Sequence, residues 1–443
     1  MRLTFFNKRF NISEKKLLLY VFLISCIFRV VYSIVNFYIF GTEKWADDFD
    51  YLTYADYVLQ QGPFVGKLPV GPAEVGPVFP WIIAAVFLIF GKNYLAVIIL
   101  NSIVSALIPV IIYYVAKIVF DVNVAFLSSL WAIIYIPYYV ELPFILKESW
   151  MQFLFILTVL LFLKSLNRKD GLKYLILASV VFAFFIHMDE RYFSFFPVFL
   201  LGYVFLNKSK DSSRFIKPAF FLLIVAMLMI PWTIRNYNVY GRPIVLTERT
   251  AKFTDKLLGY PQDEHDFYEI SPYSRKMIPL YEGIRDSILA GYEIKSNVRF
   301  LRNMNEGISK GNIPRAYGTI ENYFSEFIDL WSPARFNDYY VANGFRYQKA
   351  WSTRNNILFI LSYGVLLPFL LISIVLIFKH KNSKGMFLLI LLVMQTIIHV
   401  FLAHARFRYR VPVDSVVIIC SFYAIFETLK TFNIKFIKVE IDK

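Results

Sequence analysis

The sequence has few cysteines and none of the glycine patterning that binds nucleotides. Its two cysteines, Cys26 and Cys420, both lie inside apolar stretches, so the chain offers neither a disulfide framework nor a cysteine-based metal site. The five histidines show no zinc-binding spacing. A phosphate-loop or dinucleotide-binding pattern is also missing, which argues against an ATP-driven transporter and against an enzyme with a soluble nucleotide-sugar domain.

Charge is scarce as well: only 18% of the 443 residues are charged, whereas 58% are hydrophobic. A soluble domain of this length could not bury so much apolar surface. The apolar residues fall into blocks near the roughly 20 residues of helix that cross a bilayer. Since a helix satisfies its own backbone in lipid, the sequence predicts an all-α polytopic membrane protein with about ten or eleven transmembrane helices.

The apolar blocks define the candidate spans. They are Leu17–Phe40, Pro77–Phe90, Tyr94–Ala116, Val122–Val140, Ser149–Leu163, Leu172–His187, Tyr192–Leu206, Lys217–Ile234, Ile357–Phe378, Met386–Ala403 and Val411–Leu429. The first is expected to be an uncleaved span. Pro77–Phe90 has only about 14 residues, which is short for a crossing and predicts a re-entrant or tilted helix.

The net charge of +15 is concentrated in short basic patches beside the apolar blocks. This arrangement is typical of cytoplasmic loops and does not indicate nucleic-acid binding. The patches lie at 8–16, 164–173, 208–217, 379–384 and 430–443. Both termini are therefore predicted to be cytoplasmic, in a plasma (inner) membrane. Five candidate spans separate the first two patches, an odd number, so one candidate should not be a full crossing.

One long polar stretch divides the chain into three units. We predict an N-terminal membrane unit at 1–234 with a first external loop at 41–77, an external segment at 235–354, and a C-terminal three-helix membrane unit at 355–443. In the external segment, apolar residues recur every three to four positions from Tyr317 to Trp331, which predicts an amphipathic helix. Pro333 is expected to end it.

The first external loop contains three carboxylates within four residues, Asp47, Asp48 and Asp50. Their mutual repulsion should raise the pKa of at least one of them toward the range of a general base. The alternative is a solvated acidic loop, or a helix N-terminus that favours negative charge.

Other charges stand at the predicted external ends of helices. They are Glu74, Lys147, Glu148, Asp189, Glu190, Arg191, Arg235, Arg406, Arg408 and Arg410. Arginines converging at one membrane-level site would suit a phosphate group, because the guanidinium offers fixed, always-charged donors. Each arginine alone could instead be an end anchor that reaches to the interface. Arg29 lies inside the first span, where a charge costs about 2.5–3.5 kcal/mol, so it needs a structural or functional partner.

These residues carry a resemblance to the GT-C superfamily of membrane glycosyltransferases. The branch in question contains the dolichyl-phosphate-mannose protein mannosyltransferases and the bacterial aminoarabinose transferases of lipid A. The similar features are the acidic pair Asp47-Asp48 with Tyr51, Ala55 and Gly62, the Gly76-Pro77-Val-Phe-Pro80 helix start, Pro231-Trp-Thr-Ile-Arg-Asn-Tyr237, and Arg408-Tyr-Arg-Val-Pro412.

The resemblance implies an inverting transfer from a polyprenyl phosphate sugar donor to a lipid, glycan or protein acceptor, with Asp47 as base and Asp48 beside it. It assigns substrate binding to Tyr51, Glu74, Glu148, Arg191, Arg235, Arg408 and Arg410. No resident metal site is expected, although Mg²⁺ or Mn²⁺ could assist at Asp47, Asp48 or Glu148. The chain departs from the family at Arg191, which has two acids, Asp189 and Glu190, directly before it.

Two other functions remain open from the sequence. A ligase or polymerase of polyprenyl-diphosphate-linked glycans would also use external arginines. A non-enzymatic lipid or solute transporter would instead place charges near the middle of the membrane and break its helices there. Here the acids cluster at the external ends, which favours an enzyme.

Overall fold

The computed structural model of the chain describes residues 2–5, 8–11, 13–40, 46–64, 76–166, 171–206, 213–241, 244–247, 320–334, 353–402, 407–432 and 437–440. The helices in these ranges are α1 Glu14–Phe40, α2 Ala46–Gln61, α3 Val78–Phe90, α4 Tyr94–Val119, α5 Val122–Ile134, α6 Glu148–Ser165, α7 Gly171–Met188, α8 Phe196–Leu206, α9 Ser213–Tyr240, α10 Ile320–Trp331, α11 Thr353–Ser362, α12 Leu367–Lys379, α13 Ser383–Ile397, α14 Phe407–Arg410 and α15 Asp414–Thr431.

The predicted polytopic helical membrane fold is confirmed. Within the described ranges, eight helical segments are long and apolar enough to cross a membrane. The apolar helices α3 and α5 are shorter, and α8 has 11 residues. Each predicted span contains a helix, and the block judged short for a crossing is one of the short helices. Val122–Val140 and Tyr192–Leu206 are α-helical over only 13 and 11 residues, and Ile357–Phe378 is divided between α11 and α12. The expected domain boundary at 234 falls inside α9.

The bundle is built around α4, which packs against α1, α5 and α6. Helices α4 and α5 follow each other directly because Asp121, between them, caps α5 by accepting from Asn123 N at 2.7 Å and Val124 N at 3.0 Å. In the most apolar part of α6, 78% of residues are buried, against 28% in α1 and in α9. Helices α1 and α9 are therefore peripheral and present apolar faces to lipid.

Arg29 of α1 has a structural set of partners in the bundle. It is fully buried, and its guanidinium donates to Ser105 Oγ at 3.0 Å, to Ala132 O at 2.9 Å and to Ser25 Oγ. The ring of Tyr139 lies 5.0 Å from its Cζ. This charge therefore joins α1 to α4 and α5, which settles the choice between a structural and a functional partner in favour of structure.

Basic side chains collect at one end of the bundle, where α4 ends. Lys117 Nζ lies 2.6 Å from Glu14 Oε1 at the start of α1, and Lys430 Nζ lies 3.9 Å from Asp121 Oδ2. Lys384 also donates to Ile118 O at 3.3 Å. We call this the basic end. Lys384 and Lys430 belong to two of the predicted cytoplasmic patches.

The two ends of the chain meet in a small antiparallel sheet that the sequence analysis did not predict. Its strands are β1 Arg2–Phe5, β2 Lys8–Asn11 and β3 Ile437–Glu440, in the order β2-β1-β3. Strand β3 follows α15, whose last turn contains Lys430, so the sheet lies at the basic end. Strands β1 and β3, near the two ends of the chain, are therefore at the same end of the bundle.

The predicted amphipathic helix is confirmed as α10, which packs on the membrane helices. Trp331 Nε1 donates to Thr396 Oγ1 at 3.1 Å, and Tyr363 OH donates to Trp331 O at 3.0 Å. Its other face is exposed, with Phe324 at 66%. Tyr317 of the predicted pattern lies outside the described residues.

Candidate active site

Helix α2 carries two buried candidate residues against the loop that connects α5 to α6. Asp48 and Tyr51 are three residues apart and so share a helix face. Asp48 Oδ2 accepts a long hydrogen bond of 3.4 Å from Ile145 N. The Tyr51 ring packs edge-on against Phe79 of α3, with centroids 5.0 Å apart. The backbone of Asp47 belongs to the same helix, while its side chain and all of Glu74 lie outside the description.

A shared carboxylate brings two cations together beside α2. Lys147, just before α6, places Nζ 3.0 Å from Asp189 Oδ2 and 5.9 Å from the Tyr51 ring centroid. Arg191 donates from Nε to Asp189 Oδ1 at 2.8 Å and from Nη2 to Oδ2. Burial alone would raise the pKa of Asp189, yet Arg191 and Lys147 hold that pKa well below its ordinary value. One carboxylate therefore serves two cations, which leaves net positive charge in this group.

Helix α14 adds a third cation. Arg408 Nη1 lies 3.8 Å from Glu148 Oε1, and the neighbouring Tyr409 ring lies 3.9 Å from the Arg191 Cζ. The side chains of Lys147, Arg191 and Arg408 retain 12–13% exposure. Each of these side chains therefore has an anionic partner in the protein and still keeps a small area accessible to solvent or ligand. We call Lys147, Arg191 and Arg408 the cationic cluster.

The cluster lies at the end of the bundle opposite the basic end. Lys147 directly precedes α6, and Ser165, the last residue of α6, accepts at its carbonyl from Lys217 near the start of α9 at 2.6 Å. A helix of 18 residues separates these positions by about 27 Å. Charged residues from α2, α6, the α7–α8 turn and α14 therefore lie close together at one end of the bundle. The sequence analysis expected this from their positions at helix ends.

Arg410 is a candidate that the fold does not bring to the cluster. It is fully buried and donates from Nε to Asp414 Oδ1 at 2.8 Å and from Nη1 to Leu330 O at 3.1 Å. Its guanidinium lies 3.5 Å from the Tyr363 ring centroid, and Tyr135 OH donates to the same Asp414 carboxylate at 2.9 Å. These partners fix Arg410 inside the bundle.

Arg235, on α9, has aromatic neighbours one helical turn further along α2. Its Cζ lies 4.8 Å from the Trp232 ring and 5.4 Å from the Tyr240 ring, and it donates to Asn236 Oδ1 at 2.8 Å. Trp232 packs with Tyr54 of α2. Arg235 thus lies beside Tyr54, whereas Lys147 lies beside Tyr51, one helical turn away.

The described residues contain no group of three or more His, Cys, Asp or Glu side chains that could hold a metal ion. Asp48 and Glu148, the described members of the expected Mg²⁺ or Mn²⁺ ligand set, therefore do not form a cation site within this part of the chain. Lys147, Asp189 and Tyr409 received no individual role from the sequence. The local signals that could have indicated them are the Lys147-Glu148 and Asp189-x-Arg191 pairings at helix ends.

Residues 74–234 match the family model described as dolichyl-phosphate-mannose-protein mannosyltransferase. The resemblance found in the sequence is confirmed. No curated protein sequence matches the chain. Among solved structures, the oligosaccharyltransferase of Archaeoglobus fulgidus in its apo form is similar, with a TM-score of 0.56, 16% identity, and coverage of 95% of this chain and 52% of that chain.

A second structure of that enzyme, AglB in complex with an inhibitory peptide and a dolichol-phosphate, has a TM-score of 0.55, 14% identity, and coverage of 95% of this chain and 51% of that chain. The chain has a GT-C-like fold. It spans about half the length of these oligosaccharyltransferase structures. ArnT from Cupriavidus metallidurans in the apo state also matches, with a TM-score of 0.39, 12% identity, and coverage of 91% of this chain and 78% of that chain.

Proposed function

We propose that the chain is a membrane glycosyltransferase that moves a sugar from a polyprenyl phosphate donor to an acceptor on the outer side of the membrane. The observation that carries this proposal is the cationic cluster, Lys147, Arg191 and Arg408, held beside the acidic helix α2 at one end of a GT-C-like bundle. A lipid phosphate at the membrane surface is the ligand that such a cluster suits, because its oxygens accept charge-assisted hydrogen bonds.

The reaction is an inverting displacement at the anomeric carbon. Asp47 accepts the proton of an acceptor hydroxyl or amine, the acceptor atom forms a bond to the anomeric carbon, and the bond from that carbon to the phosphate oxygen breaks. The electron pair of the broken bond stays on the polyprenyl phosphate. Arg191 and Arg408 bind the donor phosphate from the start and keep their hydrogen bonds to it as its negative charge increases. Asp48, the residue after Asp47, accepts from Ile145 N and so orients the loop between α5 and α6.

Arg235 lies beside Tyr54, one helical turn along α2 from Tyr51. We assign Arg235 to binding of the sugar or the acceptor, and Tyr51 and Glu148 to the wall of the donor site. Arg410 stabilises the fold through its buried ion pair with Asp414. No step of this reaction requires Glu74 or a divalent cation at the acidic loop.

The proposal includes an orientation. The basic end faces the cytoplasm, so the termini and their sheet are cytoplasmic and the cationic cluster is external. We assign the chain to the plasma (inner) membrane.

The decisive experiment supplies the purified protein with defined donors and detects transfer or hydrolysis by mass spectrometry. Polyprenyl monophosphate sugars form one arm and polyprenyl diphosphate oligosaccharides the other, each with lipid, peptide and glycan acceptors. Conversion of monophosphate donors alone supports the proposal. Conversion of diphosphate donors alone would identify a ligase or polymerase. Conversion of neither, by protein that still binds polyprenyl phosphate, would favour a carrier.

A further inference from the structure

Tyr409 lies where three separate segments of the chain meet at the cationic cluster. Its ring lies 3.9 Å from the Cζ of Arg191 in the turn between α7 and α8. The same ring stacks with the imidazole of His399, with centroids 5.1 Å apart and planes at 18°. A guanidinium over a tyrosine ring is attracted by the negative face of the ring, and more strongly where water is largely excluded.

The backbone of Tyr409 is fixed as firmly as its ring. Its carbonyl accepts a hydrogen bond from Tyr192 OH at 3.1 Å and another from Gln395 Nε2. Tyr192 directly follows Arg191 in the chain, so the same turn contacts both the carbonyl and the ring of Tyr409. The position of the ring is therefore determined by side chains from α13 and from the α7–α8 turn.

A local irregularity in the backbone provides the stacking partner. Residues Ile398–Leu402, which continue α13, form a π-helical turn. Such turns are rare and occur frequently at functional sites, because they redirect one side chain out of the regular helical pattern. Here the turn contains His399, which is completely buried beside Tyr409.

The guanidinium of Arg191 is held along one edge and on one face. Nε and Nη2 are bound to Asp189, and Tyr409 covers the face. Among the described residues, no hydrogen-bond acceptor contacts Nη1. This nitrogen is the donor that the arrangement leaves for an external ligand, and its direction is set by Asp189 and Tyr409 together.

We propose that Tyr409 is a positioning residue that aims Arg191 at the phosphate of the polyprenyl donor. The inference rests on the proposed function and deepens it, since it assigns donor recognition to a stack of His399, Tyr409 and Arg191. Tyr409 acts through Arg191 and does not touch the reacting atoms. A phosphate bound by Arg191 is present in both the ground state and the transition state, so loss of the platform raises the KM for the donor more than it lowers kcat.

The first test compares Tyr409→Phe with Tyr409→Leu. Phenylalanine keeps the ring and should leave the donor KM within about twofold, whereas leucine removes the cation–π platform and should raise the donor KM by about 3- to 30-fold with little change in kcat. Tyr114→Leu is the matched control, because Tyr114 also lies under a cation, Lys164 at 5.3 Å, but at the basic end. It should leave the donor KM unchanged.

The second test repeats Tyr409→Leu in an Arg191→Ala background. If Tyr409 acts through Arg191, the leucine change should add less than twofold there. Equal effects in both backgrounds, or an unchanged donor KM in Tyr409→Leu, would overturn the proposal. Should Tyr409→Leu not fold, His399→Leu tests the same stack and should raise the donor KM in the wild-type background only.

Binding of a short-chain polyprenyl monophosphate, the released carrier, provides a readout that does not depend on transfer. Coupling of Tyr409 and Arg191 in this binding supports the inference even if the wild type transfers no sugar, in which case only the proposed activity has failed. Independent effects of the two residues on binding contradict the inference, whatever the activity.

Discussion

Arg410 and Asp414 form an ion pair of 2.8 Å that is completely shielded from solvent. The pair is one helical turn apart, and each partner has a further contact, Arg410 with Leu330 O and Asp414 with Tyr135 OH. Through Leu330 the pair joins helix α10 to α14 and α15. This contact explains why the last arginine of Arg408-Tyr409-Arg410 belongs to the interior.

Asp414→Asn should destabilise the protein by about 3–5 kcal/mol, because it leaves Arg410 as a buried charge without its counterion. The measurement is thermal unfolding in detergent. Glu427→Gln serves as the control, since its pair with Lys430 is about half exposed at the lysine and should contribute about 0–1 kcal/mol. An equal effect of the two substitutions would contradict the structural role assigned to Arg410.

Arg191→Ala should weaken use of the donor by about 1.5–3 kcal/mol, the range for a hydrogen bond to a charged group. This corresponds to an increase in donor KM of about 10- to 150-fold. Arg191→Lys should rescue only in part, because lysine lacks the planar fork that binds Asp189. Lys92→Ala, which removes an exposed cation from the same end of the bundle, should have no effect on the KM.

Asp47→Asn should lower kcat by about 10²–10⁴-fold, the range for loss of a general base. Asp48→Asn should cost less, because an asparagine oxygen can still accept from Ile145 N. Donor binding should be retained in both variants, since the cationic cluster is unchanged. A fully active Asp47→Asn with an inactive Asp48→Asn would move the base by one residue, and full activity of both would exclude α2 from catalysis.

Titration of the Asp189 carboxylate should make the folding stability depend on pH in the acidic range. Its pKa in the folded protein is depressed, so its stabilising contribution is complete above the unfolded value of about 3.9 and is lost as pH falls through the lower folded pKa. The wild type should therefore lose stability below about pH 4 more steeply than Asp189→Asn. Melting temperatures from pH 7 to pH 3 provide the comparison, with Asp56→Asn as a control at an exposed pair. If melting temperature varied with pH in the same way for wild type and Asp189→Asn, titration of Asp189 would not affect stability.

The orientation can be tested with one lysine from each end of the bundle. Lys92 and Lys430 are similarly exposed, at 62% and 52%, and α4, of 26 residues, places its ends about 39 Å apart. In a background without Cys26 and Cys420, Lys92→Cys should react with an impermeant thiol reagent in intact cells and Lys430→Cys should not. Reaction of Lys430→Cys alone would reverse the orientation and place the cationic cluster inside.

Several features of the fold follow from the sequence because they depend on neighbouring residues. A stretch of about 20 apolar residues is sufficient to predict a helix in lipid, and α10 follows from the spacing of its apolar residues. The block beginning at Pro77 forms a short helix, as its length indicates, but α5, predicted as the longer span Val122–Val140, has the same 13 residues. The acidic residues Asp47, Asp48 and Asp50 and the arginines at helix ends were identified in the same way, as local patterns, but the acidic segment was expected to be a loop and forms helix α2.

The tertiary structure decided what each of these charges does. Arg408 and Arg410 are two residues apart in the same motif, yet Arg408 lies near Glu148 with 13% exposure and Arg410 is buried against Asp414 and Leu330. No local pattern separates them, because the difference depends on which distant segments pack around each side chain. The pairing of β1 with β3 was unpredictable for the same reason, since these strands are more than 400 residues apart. An apolar span can be read from consecutive residues, whereas the partner of a buried charge depends on how segments far apart in the chain pack together.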